Sequence, residues 1–446
     1  MPPRFLMIAA PASGSGKTTV TLGLLRAFRR RGLRVASVKV GPDFIDPAFH
    51  AAASGRACRT LDPWAMRAAT LAFEAETAGH EADLVLVEGV MGLFDGAEGG
   101  GGASADLAAL LGCPVLLVLD IRGQARSAAA TALGFARFRP DIDIAGVVLN
   151  RAGSARHSTL VAGGLSEIGM PLLGALPQRP AIGLPSRHLG LVQAREHPDL
   201  ATFLDAAADL CAEGIDLDAV AALAQPLRLQ PAHSPGQEGA IPPLGQRIAV
   251  ARDAAFAFAY PHLLDGWQRA GAEVTVFSPL ADEAPDPAAD AIYLPGGYPE
   301  LHAETLAAAD RFRTGLRAAA AAGRRIYGEC GGYLVLGKAL TDADGRAHRM
   351  TGLLPMTGSY ADPKRRLGYR RATLTAEAAC GSPVAQALGG GGTLFRGHEF
   401  HVCSTRESPE APALFDLADA PGRPLGRAGL AVGSVAGSFL HLIDRG

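Results

Sequence analysis

The chain has 446 residues, a net charge of −2 at pH 7 and 48% hydrophobic residues. A nearly neutral chain has no general electrostatic affinity for nucleic acid or anionic membranes, and we find no apolar stretch of the roughly 18 residues needed to cross a bilayer. The length is too great for one hydrophobic core and predicts two domains of an ordinary folded protein.

The cysteines and the start of the chain indicate a reducing compartment. The six cysteines are scattered and include no CxxC pair, which favours reduced thiols over a disulfide framework or a zinc site. Met1-Pro2-Pro3-Arg4 leads into a short apolar run that soon meets glycine, a pattern that favours a first strand over a signal peptide. We therefore expect a cytoplasmic protein without a membrane or nucleic-acid partner.

The first half of the chain alternates short aliphatic runs with helical patterns. Strands are predicted at residues 5–9, 35–40, 84–87, 115–119 and 144–149. A helical pattern over residues 20–31 follows the first of them. Runs of this kind are typical of a parallel sheet with helices on both faces. The fold class is therefore α/β, and residues 1–225 are expected to form a phosphate-binding domain of this type.

A change in amino-acid composition marks the predicted domain boundary. Prolines and glycines accumulate over residues 226–245 and the hydrophobic periodicity disappears, which predicts a linker. The strand–helix alternation then restarts, and a closing segment after Gly352 is richer in short strand-like runs. We expect residues 246–446 to form a second α/β domain. Its predicted strands are 248–251, 274–277, 291–294 and 325–327.

The turn after the first strand resembles a P-loop. Gly16-Lys17-Thr18 supplies the end of that pattern, but Pro11 stands where its first glycine is expected. The turn nevertheless follows a strand and opens a helix, as phosphate binding by backbone N–H groups, lysine charge and a Mg²⁺-ligating hydroxyl requires. A glycine-rich turn that only caps a helix is the alternative. The expected nucleotide-binding residues here are Gly14, Ser15, Gly16, Lys17, Thr18 and Thr19.

Three carboxylates follow neighbouring predicted strands. Asp43 and Asp46 lie in the GPDFIDP turn after the second strand, and Glu88 ends the next long aliphatic run. Ligands of an open parallel sheet collect at the carboxyl ends of its strands, so these groups are expected near the phosphate turn. Mg²⁺ needs only one or two of them, together with Thr18. Asp43, after a proline, could instead simply form a turn.

A second chemical signature lies near the end of the chain. Cys330 stands between the predicted strand at 325–327 and a helical pattern at 333–340, flanked by Gly328, Gly331 and Gly332. This is the strand–turn–helix pattern of a nucleophile elbow, and the helix N-terminus is expected to lower the pKa of the thiol. A small buried core cysteine is the alternative.

A cysteine nucleophile also needs a base and an oxyanion hole. His398, His401 and His441 are candidate bases, and spacing alone does not choose among them. The LPGGYPE segment at 294–300 is a source of backbone donors for an oxyanion.

These motifs carry a specific resemblance. Residues 278–446 resemble a class I, triad-type glutamine amidotransferase domain through LPGGYPE, YGECGGY and GSFLH, and the N-terminal half resembles dethiobiotin-synthetase-like ATPases. Together with KVGPDFIDPAFH, VEGVMGLFDG, VLNR, LPSRHLGL and RGHEFH, the motifs are similar to those of the cobyrinate or hydrogenobyrinate a,c-diamide synthases of cobalamin biosynthesis.

The resemblance implies two glutamine-dependent amidations of corrin acetate groups, driven by ATP and Mg²⁺. It assigns Cys330 as the nucleophile and His441 as its base, but Ile443 stands where the usual triad has a Glu. The group that orients His441 is therefore missing or comes from elsewhere. A homodimer is a further expectation.

The resemblance also assigns roles in the N-terminal half. Lys17 and Thr18 match the phosphate and Mg²⁺ positions, with Glu88 and Asp43 or Asp46 as carboxylate partners. Asp43 and Asp46 are expected to be catalytic if they position the acetate or assist the ammonia step. The sequence does not separate that role from metal binding. Asn150 matches an adenine-contacting Asn.

Three alternative functions stay open at this point. Cobyric acid synthases share the two-domain plan but lack the GPDFIDP turn. An a,c-diamide synthase acting on nickel-sirohydrochlorin is closer, and the choice between hydrogenobyrinate and cobyrinate is also open. A non-catalytic P-loop scaffold ATPase with a decayed amidotransferase domain belongs to another class, and intact Cys330 and His441 argue against it.

Overall fold

The computed structural model describes residues 2–179, 193–228 and 240–446, and the backbone of two short strands between the first two of these ranges. The chain divides into two compact units. The first contains Met1–Trp64 and Ala68–Pro235, and the second contains Ala65–Arg67 and Gly236–Gly446. Residues 229–239 of the predicted linker and part of the LPSRHLGL motif lie outside the described residues. The linker bounds therefore stay a prediction.

Parallel strands and their connecting helices build the first unit. Its strands are β1 Arg4–Ala9, β2 Val35–Val40, β3 Arg59–Leu61, β4 Leu84–Glu88, β5 Val115–Asp120, β6 Ile144–Ala152, β7 Leu172–Pro177, β8 Ser186–Arg187, β9 Gly190–Leu191 and β10 Gln225–Pro226. Its helices are α1 Lys17–Arg30, α2 Asp46–Ser54, α3 Ala68–Gly79, α4 Ser104–Leu111, α5 Ser127–Phe138, α6 Ala155–Glu167, α7 Leu200–Gly214 and α8 Leu217–Leu223.

The first sheet has the order β3-β2-β4-β1-β5-β6-β7, all parallel, and β10 pairs antiparallel with β1. This confirms the predicted α/β class. The aliphatic side chains of β1 are buried because the strand lies at the centre of the sheet. Helix α1 packs closely on α7, where a side chain at Gly23 would press on the Ala207 carbonyl. Because β1, β2 and β4 are neighbours, the turns that follow them meet at one sheet edge.

The second unit begins with alternating strands and helices and continues with antiparallel strands. Its strands are β11 Arg247–Ala251, β12 Glu273–Phe277, β13 Ala291–Leu294, β14 Arg325–Glu329, β15 Ala339–Thr341, β16 Ala347–Arg349, β17 Met356–Ser359, β18 Arg366–Leu374, β19 Leu394–His401, β20 Ser404–Glu407, β21 Ala413–Asp419, β22 Pro424–Val432, β23 Val435–Ser438 and β24 Leu440–Arg445. Its helices are α9 Pro261–Arg269, α10 Ala303–Ala308, α11 Asp310–Ala321, α12 Gly331–Leu336, α13 Ala376–Gly381 and α14 Pro383–Ala387.

The main sheet of this unit has the order β12-β11-β13-β14-β23-β22-β21-β18-β19-β24. Its first five strands are parallel, and the rest are antiparallel to their neighbours. The helix predicted at 333–340 ends earlier, at Leu336. Gly337 leaves the helical conformation, and Leu340 lies in β15. None of the helices in the described ranges has the length and apolar character needed to span a membrane.

Candidate functional site

The phosphate turn lies between β1 and the N-terminus of α1. Gly14 and Gly16 have φ values of 78° and 90°, which glycine adopts without a side-chain penalty. A side chain at Gly16 would overlap the Asn150 amide. Lys17 begins α1 and is buried, with Thr18 and Thr19 after it in the first turn. The turn therefore directs backbone N–H groups and a helix N-terminus to one place, as phosphate binding requires.

Two residues at the end of β6 hold this turn. The Asn150 amide donates to the Ser15 carbonyl at 2.8 Å, and Arg151 donates to the Gly14 carbonyl at 2.7 Å. Arg151 also binds Asp120 at 2.6 Å and has a left-handed backbone, with φ 59°. Asn150, predicted from the resemblance as an adenine contact, thus braces the phosphate turn here. Arg151 was missed, although VLNR contains it.

The predicted carboxylates come together around a lysine. Thr18 donates its hydroxyl hydrogen to Glu88 Oε1 at 2.6 Å. Lys39, on β2, places Nζ 2.6 Å from Asp46, 2.9 Å from Glu88 and 3.8 Å from Asp43. The structure therefore brings all three predicted acids to one point beside Thr18. Sequence reasoning missed the cation between them, although Lys39 stands four residues before Asp43.

A histidine completes the environment of Glu88. His50 Nε2 lies 2.6 Å from Glu88 Oε2, and the Cys58 thiol lies 3.5 Å from His50 Nδ1. Glu88 and His50 are both fully buried. His50 follows Asp46 by four residues on α2, so the two share one helix face. That spacing was the signal that could have identified His50.

These contacts fix the charges of the cluster. Burial opposes the ammonium form of Lys39, but Asp46 and Glu88 outweigh it and raise its pKa well above the ordinary value. Burial also raises the pKa of Glu88, yet Lys39 and His50 outweigh it and the net direction is down. The pKa of Asp46 rises to about 6 because burial and Asp43 exceed the opposing effect of Lys39. Near neutral pH the cluster holds a charged lysine between ionised acids.

Lys17 and Asp43 lie at the edge of this cluster, and each is subject to more than one interaction. Burial and the charge of Lys39 lower the pKa of Lys17, against the attraction of the carboxylates. Asp43 Oδ1 accepts backbone hydrogen bonds from Ile45 at 2.8 Å and Asp46 at 3.0 Å. Asp43 therefore forms the turn that starts α2, which was the alternative interpretation, while its other oxygen faces Lys39.

The oxygen atoms present suit Mg²⁺. The Thr18 hydroxyl and Glu88 carboxylate are adjacent, and both are hard oxygen donors of the kind that Mg²⁺ prefers. The Asp43 side chain is 27% exposed, so it is accessible from the turn. Mg²⁺ usually keeps waters and takes phosphate oxygens as further ligands, so two protein ligands are sufficient.

Cys330 forms a strained elbow between β14 and α12. Its φ of 48° and ψ of −107° are sparsely populated by residues with a side chain. The turn is possible only because its neighbours are small. A side chain at Gly332 would overlap the Leu294 carbonyl, and one at Gly328 would lie 2.9 Å from the Gly332 backbone. This is the geometry of a nucleophile elbow.

The electrostatic environment of the thiol differs from the expectation. Burial, followed by the charges of Cys403 and Glu300, raises the pKa of Cys330 well above its ordinary value. The backbone N–H of Gly331 lowers it, but by less. The helix N-terminus does contribute the predicted lowering through Gly331, but the net shift is upward because desolvation dominates at this buried position. The resting group is a neutral thiol that needs a base.

His441 and Cys330 both lie next to Gly296. A Cβ built on Gly296 would lie 3.0 Å from His441 Nε2 and 3.1 Å from Cys330 Cβ. The imidazole and the nucleophile therefore both face the Gly296–Gly297 backbone of the predicted oxyanion segment. A Cβ on Gly331 would lie 3.1 Å from the Gly297 nitrogen, so backbone from the two turns meets beside Cys330.

The other two histidine candidates have different surroundings. His401 contacts Glu399 at 3.0 Å and the Cys403 thiol at 3.5 Å, and its ring stacks on Phe439. His398 is opposite His441 in the β19–β24 ladder. Burial, then His441 and Arg370, lower the pKa of His398 to about 3, so it stays neutral.

A buried carboxylate lies behind His441. Glu329 Oε2 is 3.6 Å from His441 Nδ1 and accepts a hydrogen bond from the Tyr293 hydroxyl at 2.8 Å. Ile443, at the position of the usual triad Glu, is buried and its carbonyl contacts His262 Nε2 at 2.8 Å. Glu329 lies within the YGECGGY motif, but the sequence alone predicted no role for it.

Comparison with known proteins agrees with this architecture. Residues 6–192 match the CobQ/CobB/MinD/ParA nucleotide binding domain, and residues 247–445 match the CobB/CobQ-like glutamine amidotransferase domain. The hydrogenobyrinate a,c-diamide synthase of Rhizobium meliloti (strain 1021) is 55% identical over 98% of this chain and 99% of its own length. The one from Rhodobacter capsulatus is 54% identical over 99% of each chain.

Solved structures match less closely. PurLQS from Thermotoga maritima is 16% identical, covering 44% of this chain and 86% of that chain with a TM-score of 0.31. That likeness supports no conclusion.

Fold and family together define a class, a glutamine-dependent amidoligase that joins a nucleotide-binding domain to an amidotransferase domain. Within that class, the chain belongs to the hydrogenobyrinate a,c-diamide synthase family. It is an enzyme, and its reaction is an amidation of cobalamin biosynthesis. The resemblance drawn from the sequence is confirmed, and the non-catalytic scaffold is set aside.

Proposed function

We propose that this enzyme uses ATP and glutamine to convert the a and c acetate side chains of hydrogenobyrinate to amides. The observation that carries the proposal is the 55% identity over 98% of the chain to relatives named for that substrate. Cobyrinate and nickel-sirohydrochlorin are the alternative substrates. The site residues predicted above, with Lys39 added, have the following roles.

The first step activates the corrin acid. A carboxylate is a poor electrophile because it is anionic and lacks a leaving group. It attacks the γ-phosphorus of ATP, the bond to the β-phosphate oxygen breaks, and an acyl phosphate and ADP result. Lys17 and the backbone N–H groups of the phosphate turn hold the transferred group and balance its charge.

The carboxylate cluster supports this step. Thr18 and Glu88 would hold Mg²⁺, with Asp43 as a further oxygen ligand, and the ion would supply positive charge that offsets the negative charge of the phosphate groups. The positive charge of Lys39 reduces the repulsion between the three neighbouring carboxylates. Its Nζ lies 2.6 Å from Asp46 and 2.9 Å from Glu88. We also assign Asp43 and Asp46 the role of orienting the acetate or accepting a proton from ammonia as it attacks.

The second half-reaction releases nitrogen at Cys330. Its sulfur attacks the side-chain amide carbon of glutamine while His441 accepts the thiol proton. Backbone N–H groups beside Gly297 and Gly331 stabilise the oxyanion. His441 returns the proton to the departing nitrogen, so ammonia and a glutamyl thioester form. Water then hydrolyses the thioester to glutamate and restores the thiol.

Amide formation combines the two products. Ammonia attacks the acyl carbon of the activated acid, and inorganic phosphate leaves. Two such cycles convert the two acids into amides. The neutral resting thiol supports this scheme, because it reacts only after proton transfer to His441.

A corrinoid panel tests the substrate. The enzyme, ATP, Mg²⁺ and glutamine are incubated separately with hydrogenobyrinate, cobyrinate and nickel-sirohydrochlorin, and the products are weighed by mass spectrometry. The proposal predicts two acid-to-amide conversions on hydrogenobyrinate, with the highest kcat/KM of the three. Preference for either metal-containing substrate, or no conversion of hydrogenobyrinate, would overturn it.

The proposal extends to the state of the protein. We infer a cytoplasmic homodimer without nucleic-acid partners. The scattered cysteines support the cytoplasmic location, and the near-neutral charge supports the absence of nucleic-acid partners. Light scattering coupled to size exclusion measures the mass, and a monomer would contradict the dimer.

A further inference from the structure

Glu329 occupies an unusual place for a carboxylate. It is the last residue of β14, directly before Cys330, and is only 1% exposed. Burying a carboxylate is costly unless hydrogen bonds replace its water. Two donors do so here. The Tyr293 hydroxyl donates to Oε2 at 2.8 Å, and the Leu442 backbone N–H donates to Oε1 at 3.2 Å. The protein thus holds this carboxylate in one orientation.

That orientation directs the carboxylate to the back of the His441 ring. Oε2 is 3.6 Å from Nδ1, and the two side chains are 1% and 2% exposed. This is longer than a hydrogen bond, but the attraction between a carboxylate and an imidazolium at this distance is strong where water is excluded. Catalytic hydrogen bonds are often long before substrate binds and shorten in the complex.

The connection between the two residues is short and rigid. Leu442 follows His441 directly on β24, and its N–H binds the same carboxylate. The imidazole and Glu329 are therefore fixed by one strand. Another acid of this region, Glu399, is bound to Arg370 at 2.7 Å and His401 at 3.0 Å. Ile443 supplies only a buried apolar side chain.

We propose that Glu329 is the positioning residue for His441, in place of the Glu that usually lies two residues after the histidine. When the thiol proton moves to Nε2 and the sulfur–carbon bond forms, the ring becomes an imidazolium. The Glu329 carboxylate stabilises that charge from the Nδ1 side. When ammonia leaves with the Nε2 proton, the ring is neutral again. This role rests on the proposed function of Cys330 and His441.

The test compares glutaminase kinetics of Glu329→Gln, Glu329→Asp and the wild-type enzyme. Glu329→Gln keeps the shape and one acceptor but removes the charge. We expect kcat to fall roughly 10²-fold, less than the roughly 10⁴-fold loss for a triad acid in direct hydrogen-bond contact. The KM for glutamine should change little, because Glu329 acts on the base and not on bound glutamine. Glu329→Asp should recover part of kcat.

Tyr293→Phe is the matched control, since it removes one hydrogen bond to Glu329 and leaves the charge. It should lower kcat only a few-fold. A merely structural role of Glu329 predicts a different pattern. The melting temperature should fall and the KM for glutamine should change, and any loss of kcat should accompany those changes.

The outcomes separate this inference from the function on which it rests. If Cys330→Ala keeps glutaminase activity, the proposed function of the thiol fails. If Cys330→Ala loses it and Glu329→Gln keeps wild-type kcat, only the role of Glu329 is overturned. If Glu329→Gln does not fold, the kinetics of Glu329→Asp test the proposal instead. A kcat of Glu329→Asp equal to that of the wild type, or a change in its KM alone, would contradict the proposal.

Discussion

The two reactive turns share a plan but place the strain on different residues. Each joins the end of a parallel strand to a helix N-terminus through a residue with positive φ, Gly16 at 90° and Cys330 at 48°. At the phosphate turn a glycine takes this conformation, and Lys17 and Thr18 follow it in the first turn of α1. At the thiol turn the reactive residue is itself strained, so its sulfur projects from the turn.

The two turns also differ in the charges that surround them. Around Lys17 the structure collects a charged lysine and several carboxylates in a paired network. Around Cys330 burial raises the pKa of the thiol well above its ordinary value, which keeps the group neutral. We therefore expect the first site to bind an anion of high charge and the second site to bind a neutral amide. Substitutions should therefore affect one half-reaction and spare the other.

The largest effect is expected for Cys330→Ala. Without its nucleophile, the enzyme should lose glutaminase activity and glutamine-dependent synthesis by at least roughly 10³-fold, since covalent catalysis cannot begin. Synthesis from added ammonium chloride should continue, because the activation site is unchanged. Parallel assays with both nitrogen sources measure this. Cys380→Ala, at an exposed cysteine, is the control and should behave as wild type.

Lys39→Met should produce the reverse pattern. It leaves the buried carboxylates of Asp46 and Glu88 without their cation, so synthesis should fall roughly 10²-fold or more with either nitrogen source. Glutaminase activity without corrin should persist. Loss of glutaminase activity together with synthesis, in a variant that still folds, would contradict the separation of the two sites.

Asn150→Ala distinguishes bracing of the phosphate turn from adenine recognition. Loss of the bond to the Ser15 carbonyl should raise the KM for ATP roughly ten-fold, and that for GTP in equal proportion, because the turn binds phosphates common to both. An adenine contact predicts a change in the ATP-to-GTP preference. Steady-state kinetics with both nucleotides decide between them.

The smallest effect concerns stability. The folded pKa of His398, about 3, lies below its ordinary value of 6.5. The unfolded chain therefore binds more protons in that window, and stability falls as the pH drops from about 6.5 towards 3. The groups facing His398 are His441, Arg370 and Glu399.

His398→Gln should remove this pH dependence. Between pH 7 and 5 the wild-type protein should lose about 1 to 2 kcal/mol more unfolding free energy than the variant. Urea unfolding in a Trp64→Phe background, followed by the buried Trp267, reports the second unit. Equal losses in both proteins would refute the assignment.

The sequence predicted those features that depend on local pattern. Glycines around Cys330 predict the elbow because a side chain at Gly332 has no space. The ends of aliphatic runs predict that Asp43 and Glu88 meet, because parallel strands share one edge. Fold class followed from the same runs.

What the sequence did not reveal depends on strand order and burial. Lys39 meets Glu88 because β2 pairs with β4, although β3 comes between them in the chain. Glu329 meets His441 across a sheet whose order no local pattern specifies. The sign of the Cys330 pKa shift was wrong because burial, which needs the folded structure, outweighs the helix N-terminus.

An isotope-transfer experiment tests the central claim, that ATP activates the corrin acid as an acyl phosphate. Hydrogenobyrinate labelled with oxygen-18 in its carboxylates is amidated, and the released inorganic phosphate is examined by mass spectrometry. One labelled oxygen should enter phosphate for each amide formed, because the carboxylate oxygen leaves with the phosphoryl group. Amide formation with unlabelled phosphate would contradict the mechanism.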